Sequence, residues 1–293
     1  MENKILKISC PNCGGGTRLW GKKNSFDIFS CDYCRLVFVY PLPDPTKVYG
    51  EDYFSGAKGG FGYVDYDADK EPMVGTFNKY IDLLSKYGKS QGELFDIGAA
   101  TGFFLNIAQN RGYKVSGVEM SSHATQVARN KGIDVSSGDL MALGLGNEKF
   151  DVVTMLDVLE HMTDPFTELM EVKRILKPGG LVVVNSPDGQ SLLARFLKTR
   201  WHLVLPPEHL FYFSPKNLAM FMEKNGFKMV HNKTIGKKFT FQYIFKMLYK
   251  WQKLSIWDYL SNFFSKGFLS KLYIPINLHD NFFVIFKKDN ENN

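Results

Sequence analysis

Glu93-Leu94-Phe95-Asp96-Ile97-Gly98-Ala99-Ala100-Thr101-Gly102 is the stretch that decides the fold of this chain. Its first five residues read as a short apolar strand. The glycine-bounded turn that follows opens directly into Phe103 to Arg111, whose apolar positions recur at helical spacing. A strand that runs through a tight turn into a helix is the first half of a βαβ unit.

The same alternation continues on both sides. Phe77, Tyr80, Ile81, Leu84 and Tyr87 fit a helix that Gly88 ends. Lys114 to Glu119 reads as a second strand, Ser122 to Lys131 as a helix, and Ile133 to Ser136 as a third strand. Phe150 to Leu156 has the continuous apolar run of a strand buried on both faces. Asp164-Pro165 is an N-cap with proline at the first helical position, and Lys177-Pro178-Gly179-Gly180 stops that helix before a fifth strand, Leu181 to Asn185. Ser214-Pro215 starts another capped helix that ends at Gly226, and Phe227 to His231 and Phe282 to Lys287 read as two final strands. Alternation of this kind specifies an α/β fold with a doubly wound, parallel sheet.

Open α/β sheets bind ligands beyond the carboxyl ends of their strands. A dinucleotide site requires G-x-G-x-x-G, and here Ala100 stands at the second glycine. Asp96 sits directly before the turn, where a carboxylate repels a pyrophosphate and attracts a cation. Glu119 ends the second strand and can accept from both hydroxyls of a ribose. Asp139, after the third strand, can accept a proton from an adenine amine. A sulfonium-bearing adenosine satisfies all three acids.

Asp96-x-Gly98-x-x-x-Gly102, Glu119, Ser137-Gly138-Asp139-Leu140, Leu156-Asp157-Val158-Leu159-Glu160-His161 and Leu176-Lys177-Pro178-Gly179-Gly180 resemble, in order, the motifs of the class I S-adenosylmethionine (SAM)-dependent methyltransferases of type 23. The resemblance covers about residues 75–232. It implies a Rossmann-like seven-stranded sheet of order 3-2-1-4-5-7-6 with the last strand antiparallel. It also implies a SAM site lined by Asp96, Gly98, Ala99, Ala100, Gly102, Glu119, Met120, Asp139, Leu140 and Asp157. His161 and His209 lie after the fourth and fifth strands, on the ligand edge, and both titrate near neutral pH. They are the candidate catalytic bases, with Glu160 and Tyr212 second.

The four cysteines form Cys10-x2-Cys13 and Cys31-x2-Cys34, 17 residues apart. Two such turns can complete a thiolate tetrahedron around a structural Zn2+ with no open position. A disulfide pair is the other reading, and it does not suit a chain without an export signal. Met1–Lys7 has no apolar core of a signal peptide, and no stretch approaches ~18 uncharged apolar residues. The expectation is a cytoplasmic location. We expect a zinc-ribbon-like unit over residues 1–45, an aromatic connection over 46–75, and a SAM-binding domain over 76–293 with a helical insertion at about 237–275. The N-terminal unit, the connection and Pro207-Glu208-His209-Leu210-Phe211-Tyr212-Phe213-Ser214 resemble methyltransferases of sugar, capsule and natural-product pathways. That implies a sugar, nucleotide sugar or glycan precursor as acceptor.

The net charge of +6 is carried by residues 231–293, with ten Lys/Arg and four Asp/Glu; residues 1–230 hold 26 of each sign. Residues 237–275 interleave twelve aromatics with lysines, which suits a helical cap, a lid over the acceptor, or contact with an anionic membrane. A zinc-ribbon RNA methyltransferase and a non-catalytic SAM-fold interaction protein are the competing functions. Against RNA, the zinc unit holds few cations after Lys7, namely Arg18, Lys22, Lys23 and Arg35. Against lost ligand binding, all three nucleoside acids are intact.

Overall fold

The structure is a computed structural model that describes residues 8–43 and 66–290. Its centre is a seven-stranded sheet. β1 (Thr17–Lys23), β2 (Phe26–Cys31) and β3 (Val37–Val39) come first in the chain and lie outside it. Next come α1 (Tyr66–Lys70), α2 (Val74–Lys86), β4 (Gly92–Ile97), α3 (Phe103–Asn110), β5 (Tyr113–Glu119), α4 (Ser122–Asn130) and β6 (Val135–Ser137). β7 (Phe150–Leu156), α5 (Pro165–Ile175), β8 (Leu176–Pro187), α6 (Leu192–Leu197), β9 (Phe211–Tyr212) and α7 (Pro215–Lys224) follow. The chain closes with β10 (Phe227–Lys233), β11 (Lys237–Thr240), α8 (Phe241–Gln252), α9 (Ser255–Phe263), β12 (Tyr273–Ile276) and β13 (Asn281–Lys288).

The large sheet runs β6-β5-β4-β7-β8-β13-β10. β13 is antiparallel to both of its neighbours, and the pairs from β6 to β8 are parallel. This is the expected order 3-2-1-4-5-7-6. The period of two along each strand divides the core between the faces of the sheet. Val182, Val184, Phe282, Val284 and Phe286 pack on one face with Leu169 and Val172 of α5 and Leu218 and Met222 of α7. Leu181, Val183, Phe283 and Ile285 pack on the other with Phe77, Ile81 and Leu84 of α2 and Leu105 and Ala108 of α3. Both registers are fully apolar, so these strands can only be interior.

Helix starts follow the expected chemistry. Asp164 accepts from the Thr167 N–H at 3.2 Å with Pro165 behind it. Ser214 and Asn217 form a reciprocal capping box. One stop differs: Lys177 to Gly180 is the start of β8, because the chain turns extended at Leu176. The insertion also differs. α8, α9 and a 3-10 turn at Gly267–Lys271 are helical within it, and β11 and β12 pair antiparallel to close it at its base. Its exposed side chains include Leu254, Ile256, Tyr259, Phe263 and Phe268. Among the described residues no helix is long and apolar enough to cross a membrane.

The N-terminal unit is fused to the main body. β3 pairs with β9, as Val37 with Tyr212 and Phe38 with Phe211, so β1-β2-β3-β9 is one sheet. Asn12 Nδ2 donates to the Asn217 carbonyl and Asn24 Nδ2 to that of Pro206, both at 2.8 Å. Cys10, Ile28, Leu36, Phe38, Phe211, Phe213 and Leu218 belong to one buried cluster. Of the aromatic connection, Tyr49, Tyr53, Phe54, Phe61 and Tyr63 lie outside the described residues, and Tyr66 begins α1.

Candidate active site

The turn after β4 is built around glycine. Gly98 has φ +72°, and a Cβ there would come within 2.1 Å of Val158 Cγ2. Gly102 has φ +73° and lies against Ala128 and Ile133. The N–H groups of Gly98 and Ala99 both donate to the Val118 carbonyl, at 2.9 and 3.0 Å, which binds the turn to β5. Ala100 also adopts a positive φ, +47°.

Two carboxylates close this nook. Asp96 is buried at the end of β4, and its Oδ1 accepts from Thr154 Oγ1 at 2.5 Å. Burial pushes its carboxyl up to about 7, opposed by the Thr154 bond and reinforced by the Glu119 charge. Glu119 is buried at the end of β5. Its two oxygens accept the Ala100 and Ser121 N–H groups, both at 2.9 Å. Each oxygen keeps a lone pair for a ribose hydroxyl. Burial raises its pKa as well.

The other residues expected to line the site follow β5, β6 and β7 closely. Asp139 is exposed and holds the Ala142 N–H at 2.7 Å, while Leu140 beside it is buried. Met120 is exposed directly after β5. Asp157, at φ +59° beyond β7, accepts from Asn185 Nδ2 at 2.5 Å. The donor set therefore fits a cationic nucleoside: carboxylates at or just after three strand ends, and small residues in the turn.

His161 and His209, 48 positions apart, meet beside this edge. Their rings lie 4.7 Å apart, edge to face. The Leu210 N–H donates to the Glu160 carbonyl at 2.7 Å and pins the two segments together. His161 Nδ1 bonds the Glu208 carbonyl at 3.0 Å and His209 Nδ1 the Leu203 carbonyl at 2.7 Å. Since a carbonyl only accepts, each Nδ1 carries the proton, and each Nε2 has its lone pair. Burial pulls both imidazoles down to about 4 and pushes Glu160 up to about 7. Glu160 accepts from Ser186 Oγ at 2.8 Å. Ligand atoms of Glu160, His161 and His209 all lie within 4.8 Å of one another, and burial favours the neutral form of all three. Tyr212 serves as a strut: its hydroxyl donates to the His209 carbonyl at 3.0 Å. Sequence reasoning named both histidines and missed that they touch, because the Glu160–Leu210 bond leaves no sequence signal.

In the N-terminal unit the four cysteines converge, unbridged. Cys10 and Cys34 Sγ are 3.5 Å apart, as are those of Cys13 and Cys31, and all four lie within 4.8 Å of one another. A tetrahedral zinc with ~2.3 Å bonds sets its sulfurs ~3.8 Å apart, so the cluster fits that ion. Cys31 Sγ accepts the Tyr33 and Cys34 N–H groups at 3.3 and 3.4 Å, as a thiolate in a knuckle does. The bond from Cys10 pulls Cys34 down to about 5, and the same bond pushes Cys10 up.

A seven-stranded sheet of this order with acids at the ends of β4 and β5 defines the class I SAM-dependent methyltransferase fold. Residues 71–232 match the methyltransferase-domain family of type 23, and the chain belongs to that family. Its relatives include a ubiquinone biosynthesis O-methyltransferase of Alkalilimnicola ehrlichii, 32% identical over 130 residues, which are 42% of this chain and 50% of that one. The chain thus spans about half the length of that relative. Among solved structures, the YcgJ protein of Bacillus subtilis aligns with a TM-score of 0.54 at 16% identity, covering 73% of this chain and all of that one. A putative sarcosine dimethylglycine methyltransferase from Galdieria sulphuraria aligns with a TM-score of 0.53 at 14% identity, covering 75% and 88%.

Proposed function

We propose that this chain methylates a hydroxyl of a small-molecule acceptor, a sugar, nucleotide sugar or glycan precursor, with SAM as methyl donor. The observation that carries the reading is the pair of buried carboxylates, Asp96 and Glu119, at the ends of adjacent strands around a turn that has no second phosphate-binding glycine. Bound there, SAM supplies an electrophilic methyl group. Asp96 would hold its positive half, Glu119 its ribose hydroxyls, and Asp139 its adenine amine.

The chain's own part in the chemistry is positioning and one proton. Holding acceptor and donor in line accounts for much of such a catalysis. His209 or His161, each held through Nδ1 by a backbone carbonyl, takes the hydroxyl proton on Nε2. The relatives named as O-methyltransferases favour oxygen as the atom methylated. Those proteins are named for ubiquinone biosynthesis, so a phenolic hydroxyl is the second acceptor class. The cysteine cluster we assign to a structural zinc. Calorimetric titration with SAM, then methyl transfer from labelled SAM to sugar, nucleotide-sugar and phenol panels, tests the reading. Micromolar SAM binding with label in one acceptor class is expected; no SAM binding at millimolar ligand overturns it.

A further inference from the structure

A second cleft lies between the N-terminal unit and the segment after β8. It has a volume of about 230 Å³. Its walls include Arg18 of β1, Arg35 of the second cysteine turn, and Arg195 and Lys198 of the α6 region, with Trp20 and Gln190 between them. Among the described residues no acidic side chain lines it. Arg18 pairs with Asp32 at 3.3 Å. Arg35, Arg195 and Lys198 form no ion pair among the described residues. Four cations drawn from three places in the sequence and turned toward one small hollow repel one another, and an anion in the hollow removes that cost. Arginine is the side chain best shaped for it, because its planar fork meets two phosphate oxygens at once.

The position of the cleft gives the anion a role. Its floor contains Gly189, three residues beyond Ser186, whose hydroxyl touches Glu160. Three residues span at most about 11 Å. Gly189 is held there by a 2.7 Å bond from its N–H to the Phe213 carbonyl, and a Cβ would meet Tyr212 O at 2.5 Å. Tyr212 in turn lies 6.3 Å, ring to ring, from His209. Gln190 Nε2 donates to the Arg35 carbonyl at 2.8 Å and joins the two walls. The cleft and the histidine pair are therefore linked by one short stretch of chain, Ser186 to Gly189, and by Tyr212.

We propose that this cleft is an anion subsite that holds the phosphate or diphosphate of the acceptor while His209 and His161 face its reacting hydroxyl. The inference rests on the methyl-transfer reading above and narrows its acceptor to a phosphorylated one. A nucleic acid fits less well, since the cations converge on one hollow and do not extend as a stripe along the surface. The source of the phosphate is a soluble molecule or a lipid headgroup.

The test uses the full chain and the variant Arg35→Ser/Arg195→Ser, both exposed positions. Inorganic pyrophosphate is titrated into each by calorimetry, and SAM is titrated separately. Each protein is also sedimented with phosphatidylcholine vesicles containing phosphatidic acid, and titrated with a single-stranded RNA oligonucleotide. The expected result is pyrophosphate binding at or below millimolar concentration that weakens about tenfold or more in the variant, with SAM affinity unchanged. Variant-sensitive retention on the phosphatidic acid vesicles supports the same subsite with a lipid as source. Equal pyrophosphate and vesicle binding by both proteins, no binding of either probe, or RNA as the one variant-sensitive ligand overturns the proposal. Failure of the methyl-transfer reading shows separately, as absent SAM binding to the wild-type chain.

Discussion

Asp96 is a carboxyl that folding disfavours and ligand binding rewards. Burial holds it up at about 7, above the ordinary range of an aspartate. Its folded pKa exceeds its unfolded one, so its contribution to stability is greatest at low pH and is lost as pH rises through about 7. A cation in the nook favours the carboxylate and draws the proton off. SAM affinity should therefore climb as pH approaches 7 and level above it; an affinity flat from pH 5 to 8 would contradict this. Asp96→Asn keeps an acceptor for Thr154 Oγ1 and removes the charge. We expect the melting temperature at neutral pH to hold or rise while SAM affinity falls at least about tenfold. At the histidines the sign is opposite. Burial pulls His209 down to about 4, so a base there stays competent in mild acid, and the acid limb of the rate profile should lie near 4 and not near the ordinary ~6.5. His209→Ala should cut turnover by roughly 10²–10⁴ with SAM affinity intact. Equal losses in both would reassign His209 to holding the nook.

The turn between β4 and α3 is the element whose replacement has the most calculable cost. Gly98 combines a left-handed backbone with a Cβ position already filled by Val158 Cγ2. Gly98→Ala should destabilise the protein by roughly 1–3 kcal/mol and displace the post-β7 segment that carries Asp157, Glu160 and His161. Thermal melts and SAM titration check both effects; an unchanged melt would mean the turn adapts freely. This turn was legible because glycine spacing and flanking carboxylates report backbone geometry and charge directly. The parallel strands were legible because full burial leaves uninterrupted apolar runs. β9 was not: two residues carry no period, and their pairing with β3 depends on a partner some 170 positions earlier. The pair β11–β12 was hidden in the same way, since aromatics and lysines interleave alike in a helix and an edge strand. The convergence of the four cysteines was legible from their spacing alone, but the contact of His161 with His209 and the cleft of arginines come from tertiary packing, which no local pattern encodes.

At the scale of the whole molecule, the proposed zinc centre should act far beyond its four ligands. Metal binding in such sites is folding free energy, ~10–16 kcal/mol in isolated zinc peptides at neutral pH. A domain of this size is stable by only ~5–15 kcal/mol. Here Cys10, Cys31 and Cys34 belong to the same buried cluster as Phe211, Phe213 and Leu218, and β3 continues into β9. Loss of the ion removes the link between the two cysteine turns and loosens β2 and β3. That withdraws β9's partner and exposes the Phe38–Phe211 stack, whose rings lie 6.3 Å apart. The loop that bears His209 immediately precedes β9. Chelation with a strong zinc ligand, or Cys34→Ser, should then lower one shared unfolding transition and not remove a separate early one, and should abolish turnover before SAM binding is lost. Metal analysis should give one zinc per chain. A chain that purifies with zinc yet melts in two independent steps, the catalytic body unmoved by chelation, would show that the shared sheet does not couple the two parts.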